Sequence, residues 1–253
     1  MMLADKDVQD FNKIEWVVSI DQAGLRYREV KKCYLFGAEQ TISIMEVDPS
    51  VCRIEFVQEE HKQTPRKIGK DNNAIAAING SFYKVHSRKA IVSGVLKIND
   101  TIQPSLNYDY FLDAVVVEDK NVSIVSCKTQ DELIDNYKNV MTNAPLLVSN
   151  GEQLLQNDVL PYARTLVATR LTDKGNQVLF IVVEGFSKKR GMTFDQCGKL
   201  ALLLGCNNCL NLDGGGSSAM WVKNKGVINK PSDRWALMFS WLRKVANCII
   251  IKY

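Results

Sequence analysis

A chain of 253 residues with 46% hydrophobic content is long enough to bury a sizeable core and is not disordered by composition. Its formal charge of +4 and pI near 8.6 come from Lys and Arg scattered along the chain, which suits a small anionic ligand and argues against a nucleic-acid groove. No stretch approaches the roughly 20 apolar residues that cross a bilayer, and Met1 to Asp7 lacks both the basic opening and the apolar middle of a signal peptide. The expectation is therefore a soluble protein without a membrane span, cytoplasmic unless an export signal has been trimmed.

In chain order, Trp16 to Ile20, Leu25 to Phe36, Thr41 to Val47 and Arg53 to Val57 read as strands, rich in Val, Ile and aromatics with turn signals between them. Lys62 to Asn73 is polar and reads as a linker or long loop. Ala74 to Ile78 is a short apolar strand that ends at Asn79-Gly80. Gly94 to Ile98, Ala114 to Val117 and Val122 to Ser126 continue the strand pattern, and the capping-box spacing of Thr129 and Glu132 predicts a helix from about Gln130 to Val140. Pro145 to Ser149, Arg164 to Thr169 and Gln177 to Val183 are further strands.

The informative segment is Gln177 to Ser218. An apolar strand ends at Glu184-Gly185, Thr193 and Gln196 cap a helix running to about Leu204, and Cys209 to Leu212 forms a second strand ending at Asp213. Strand, helix, strand over this length predicts a βαβ crossover, with Glu184 and Asp213 at the carboxyl ends of parallel strands, where ligands gather. The expected fold is α+β: a mixed β-sheet core with this crossover, few flanking helices, and an extra N-terminal strand layer over residues 1–66.

After the second strand comes Asn211-Leu-Asp213-Gly214-Gly215-Gly216-Ser217-Ser218. Three glycines let backbone amides approach an anion, and the serines add hydroxyls, so a phosphate fits; a tight turn without ligand is the alternative. A dinucleotide fingerprint must open a helix, whereas Ala219 to Ile228 reads as a hairpin, and a P-loop needs a Lys that is missing here.

Seven cysteines, an odd number, are expected mostly as small buried hydrophobes. Cys206-Asn-Asn-Cys209 has metal or redox spacing but follows a helix-like run where a redox pair should open one. With only His61 and His86 elsewhere, neither metal nor cofactor is expected.

Together with that run, Ala77-Ile-Asn79-Gly80-Ser-Phe82-Tyr83, Ala163-Arg164-Thr165, Val182-Val-Glu184-Gly185, Arg190-Gly191-Met192-Thr193 and Arg243-Lys-Val-Ala-Asn247 occur in an order that resembles the phosphodiester glycosidase family, over roughly residues 74 to 253. Ala168 stands where that pattern has glycine, Glu184 where aspartate is commoner, and Lys244 where proline is frequent. The resemblance implies a catalytic domain at 67–253 that removes a sugar, such as N-acetylglucosamine, from a sugar-phosphate diester on a small molecule, glycan or exopolysaccharide. It also implies a secreted or periplasmic location with any signal removed.

An oxocarbenium-like transition state needs negative charge at the anomeric carbon, which Asp213 and Glu184 can supply. Arg164 and Arg243 can fork onto the phosphate, with Gly214 to Ser218 beside them. Asn79, Gly80 and Asn211 can orient sugar hydroxyls or the carboxylate, or simply form turns. Phe82 and Tyr83 can stack on a sugar or pack in the core, and Lys188, Lys189 and Arg190 form a basic loop. A non-catalytic module for phosphorylated glycans and a phosphoesterase that cleaves P–O stand as alternatives.

Overall fold

The computed structural model describes residues 3–106, 108–173, 175–185, 191–230, 232 and 242–253. Helix α1 (Asp5–Asn12) precedes β1 (Val17–Gln22), β2 (Leu25–Leu35), β3 (Ala38–Val47) and β4 (Arg53–Gln63); α2 (Pro65–Asp71) then leads into β5 (Ala76–Asn79). A contiguous middle segment holds β6 (Leu96–Ile98), β7 (Thr101–Ile102), β8 (Asp113–Glu118), β9 (Asn121–Ser126), α3 (Gln130–Asn136) and β10 (Val140–Asn143). The rest comprises β11 (Leu146–Ser149), β12 (Glu152–Gln153), β13 (Arg164–Thr172), β14 (Gly175–Val183), α4 (Phe194–Leu203), β15 (Asn208–Asn211), a 3-10 turn at Gly215–Ser217, β16 (Met220–Val222), β17 (Gly226–Val227) and β18 (Val245–Lys252).

These strands form an eight-stranded sheet in the order β1-β2-β3-β14-β13-β15-β11-β12, a five-stranded sheet β17-β16-β5-β18-β4, and a five-stranded sheet β7-β6-β10-β8-β9. The main core lies between the first two: Phe180, Val167 and Leu210 of the large sheet meet Ile78, Ile249 and Trp221 of the second, with Val115 and Val117 of the third closing one side. The opposite face of the large sheet is covered by α4, whose Cys197, Leu200 and Ala201 pack on Leu166, Ala168 and Ile181. Alternation along β13 and β14 makes this two-sided burial possible, because successive side chains enter different cores.

The class is α+β, as expected. The crossover differs in detail. β14 and β15 point the same way, but both are antiparallel to β13, which lies between them. The slot beside β14 is filled by its local hairpin partner, nine residue pairs in register from Arg164↔Val183 to Thr172↔Gly175, and every ladder between these strands is antiparallel.

The N-terminal strands are knitted into both large layers: β3 pairs with β14 and β4 with β18. The segment read as a linker is instead the end of β4 and α2. Thr64 accepts the Lys67 amide as N-cap and Pro65 takes the first turn, both favourable there. Polarity concealed this helix because it is short and buries only Pro65, Ile68 and Gly69. Helix α3 stops at Asn136, since the apolar residues at 140–141 belong to β10 and fill the core rather than a helix face. The Thr193–Gln196 capping box is present as read.

Candidate functional site

The carboxyl ends of β5, β14 and β15 and the amino ends of β13 and β18 meet at one end of the sandwich. Backbone bonds lock them together: Asp213 N–H donates to Gly80 O at 3.1 Å, Gly80 N–H to Asn247 O at 3.1 Å, and Gly215 N–H to Ala163 O at 2.8 Å.

Asn79 is the central strut. Fully buried at the end of β5, it donates from Nδ2 to the Asp213 carbonyl at 2.7 Å, and its Oδ1 accepts from Thr165 Oγ1 at 2.9 Å and from the Ala219 amide at 3.0 Å. Its amide is thus consumed in fixing both ends of the glycine-rich loop.

Gly80 is glycine for want of room. A Cβ there would lie 1.8 Å from Asn247 Oδ1, the same oxygen that accepts the Ser81 amide at 3.0 Å, while Asn247 Nδ2 donates to Ser81 Oγ at 2.7 Å. Gly80→Ala should therefore displace Asn247 and cost about 2–3 kcal/mol, as overpacking of a tight interior does. Thermal melts test this, and a variant melting within a degree of wild type would show that the contact relaxes freely.

The glycine run is less an open cradle than expected. The Gly215, Ser217 and Ser218 amides donate to Ala163 O, Gly214 O and Gly215 O, so these three are committed within the protein. Gly215 adopts φ +59°, which favours glycine, and a Cβ on Gly214 would come within 2.9 Å of Ala163 O. Gly216 is buried in the 3-10 turn. Side chains offer more. Ser217 Oγ lies 3.4 Å from Arg243 Nη1 and 3.4 Å from the Tyr83 hydroxyl, which also donates to Lys244 O at 3.0 Å.

Burial raises the Tyr83 phenol above its usual pKa and the Asp213 charge raises it further, against the opposing influence of Ser217 and Arg243. Ser217 thus touches both Tyr83 and Arg243, and the charge of Asp213 acts on the same phenol. The Tyr83 hydroxyl is the site group the sequence did not reveal: an aromatic in Ser-Phe-Tyr reads equally as packing or stacking.

Asn211 donates from Nδ2 to Ala144 O at 2.8 Å and from its amide to Pro145 O at 3.1 Å. Among the described residues, the buried Asn211 Oδ1, Ser218 Oγ and both polar atoms of the neighbouring Asn143 find no hydrogen-bond partner. Buried polar atoms are rarely left so, and such a cluster is suited to a ligand or ordered water.

Arg164 is not brought to the loop. It shares a register position with Val183, on the α4 side of the sheet, whereas Thr165 faces Asn79. Its Nε donates to Met192 O at 2.9 Å, its Nη2 pairs with Asp158 at 2.9 Å, and its guanidinium stacks 3.7 Å from the Phe194 ring centroid. Asp158 in turn accepts the Phe194 amide at 2.8 Å, so Arg164 braces a wall instead of projecting into solvent.

Glu184 is engaged by a backbone amide. Its Oε1 accepts the Lys230 amide at 2.7 Å, and its charged neighbours are Lys230, Lys31 and Glu29. Burial raises its carboxyl above the ordinary value of 4.5. A raised folded value means that this group's contribution to stability is complete below pH 4.5 and is lost as pH rises through the folded pKa. Glu184→Gln, which keeps the acceptor for Lys230, should therefore melt above wild type at pH 7, with the gap closing toward pH 4. Because Gln keeps that bond, it should also retain activity within about threefold; a thousandfold loss would return Glu184 to the chemistry. Lys188, Lys189 and Arg190 lie outside the described residues. All seven cysteines are unpaired, with Cys206 and Cys209 buried beneath α4.

Tyr83 separates two clefts. On one side a cleft of about 590 Å³ is lined by Phe82, Phe111, Tyr110, Asp158 and Phe194. Phe82 stacks on Phe111 with centroids 5.9 Å apart, and Tyr110 lies 4.5 Å beyond at 67% exposure, an aromatic wall of the kind that binds sugar faces. On the other side a cleft of about 630 Å³ carries basic side chains.

The family model for phosphodiester glycosidases matches residues 72–252. No curated protein matches the chain in sequence. The structure is similar to the catalytic domain of zebrafish N-acetylglucosamine-1-phosphodiester alpha-N-acetylglucosaminidase auto-inhibited by its pro-peptide, with TM-score 0.72 and 17% identity over 95% of this chain and 82% of that one. A hypothetical protein from Synechocystis gives TM-score 0.68 and 12% identity over 94% of this chain and 63% of its own. A protein described as exported, from Burkholderia pseudomallei K96243, gives 0.58 and 12% over 87% and 75%. At these identities the likeness carries the fold, and its 95% coverage in the first case takes it into the N-terminal strands that the sequence set apart.

Proposed function

Given that the chain belongs to the phosphodiester glycosidase family, we propose that it hydrolyses the bond between a sugar's anomeric carbon and the oxygen of a phosphodiester. The observation that carries this reading is the gathering of Asp213, Tyr83, Ser217 and Arg243 at the partition between an aromatic and a basic cleft. The sugar, such as N-acetylglucosamine, stacks in the aromatic cleft. Its bridging phosphate meets Arg243 and the Ser217 and Tyr83 hydroxyls, and Asp213 supplies negative charge as the anomeric carbon becomes cationic.

The C1–O bond breaks, the phosphate departs with both electrons, and water supplies the hydroxyl to C1 and a proton to solution. A phosphate is a weakly basic leaving group, so cationic stabilisation of its oxygens outweighs protonation by a strong acid. Arg164 acts at a distance, through Asp158 and Phe194, by holding the wall of the sugar cleft.

Incubation with a sugar 1-phosphodiester in isotopically labelled water should release free reducing sugar with the label in the sugar. Label in the phosphate instead would mean cleavage of the P–O bond and would sink this reading.

A further inference from the structure

On the far side of Tyr83 from the aromatic wall, the end of β4, the loop 85–88 and the residues before β18 enclose the cleft of about 630 Å³. Among the described residues, Lys62, Arg88, Arg243 and Lys244 line it together with His61 and His86, without a carboxylate. The loop is tied down: Lys62 N–H donates to Arg88 O at 3.2 Å, Lys62 Nζ donates to Val85 O, and His61 bridges to Lys89. Lys62 Nζ also sits 5.2 Å from the centroid of the Tyr83 ring, whose hydroxyl meets Ser217. Burial, and then the charge of Arg243, depress the Lys62 ammonium, so the two cations act on each other across the cleft.

Such a cleft has more volume than one phosphate needs, cationic side chains on several of its segments, and a wall shared with the reacting centre. We propose that it is a subsite for a second anionic group, a phosphate carried on the aglycone, so that the preferred substrate is a sugar 1-phosphodiester whose leaving half bears a further phosphate. The proposal rests on the glycosidase reading above for its order of subsites: sugar against the aromatic wall, bridging phosphate at Ser217 and Arg243, terminal phosphate at Arg88 and Lys62. Guanidinium recognition suits that terminal group, because Arg88 is exposed at the rim and can fork onto two oxygens.

The test is a matched pair of sugar 1-phosphodiesters, identical except that one aglycone ends in a hydroxyl and the other in a phosphomonoester. At low ionic strength wild type should prefer the phosphorylated aglycone by at least tenfold in kcat/KM, a preference that shrinks with added salt. Arg88→Gln should cut that ratio at least fivefold, and Lys62→Gln should cut it too. A ratio near one in wild type, or one indifferent to Arg88→Gln, overturns the subsite even though the enzyme works. If neither compound is cleaved, the glycosidase reading fails and calorimetry with inorganic pyrophosphate decides the subsite alone. Binding weakened at least fivefold by Arg88→Gln supports it, while no binding, or binding unaffected by the substitution, overturns it.

Discussion

Asp213→Asn should lower kcat/KM on a sugar 1-phosphodiester by at least about a thousandfold while leaving the protein folded. The size follows from the proposed role: a carboxylate facing an oxocarbenium-like centre contributes charge that an amide cannot, and three powers of ten correspond to about 4 kcal/mol of transition-state stabilisation. The fold should survive because the backbone of residue 213 keeps its two bonds, the amide to Gly80 O and the carbonyl from Asn79 Nδ2, and an isosteric side chain disturbs neither. Reducing-sugar release, thermal melts and calorimetric substrate affinity together check the claim. Loss confined to turnover supports it; a loss below tenfold would assign the charge to another group.

Asn79→Ala should act the other way round, on the framework first and the chemistry through it. Three partners lose their hydrogen bond at once: the half-buried Asp213 carbonyl and the buried Thr165 hydroxyl and Ala219 amide. At roughly 1 kcal/mol for each polar group left unpaired, the cost is about 3 kcal/mol, which in a chain of this size lowers the melting temperature by about 6–12 °C. Because Asn79 spans the loop from Asp213 to Ala219, the carboxylate also loses its register, and a displacement of about 1 Å can cost about a hundredfold in rate. The expected pattern is a fall in kcat with little change in substrate affinity, measured below the lowered melting temperature. A melt within about 2 °C of wild type would remove Asn79 from its role as strut.

These two residues also mark how far the chain could be read directly. Asp213 stands out as a candidate because a charged residue after an apolar strand, followed by three glycines, has few structural uses. Asn79 was legible as important but not as to purpose, since Asn-Gly marks a turn as readily as a site; only the 134 residues closed between it and Asp213 in space make it a strut. Arg164 is the complementary case. Guanidinium chemistry suits phosphate, yet strand alternation sends its side chain to the α4 side of the sheet, where Asp158 and Phe194 occupy it. Helix α2 escaped notice because its buried face is only three residues, too few to leave a period.

The sequence by itself determined the α+β class, most of the strands though not β10 or β18, the capped helix after Glu184 and the family, because periodicity, caps and a dense glycine motif are local properties of the chain. Tertiary structure alone decided the company each side chain keeps. It inserted β13 between β14 and β15, gave the loop amides to internal carbonyls, paired Arg164 with Asp158 and Glu184 with the Lys230 amide, and brought the Tyr83 hydroxyl to Ser217. Those outcomes depend on which strands become neighbours and which face of each is left for the site, and no pattern along the chain encodes that pairing.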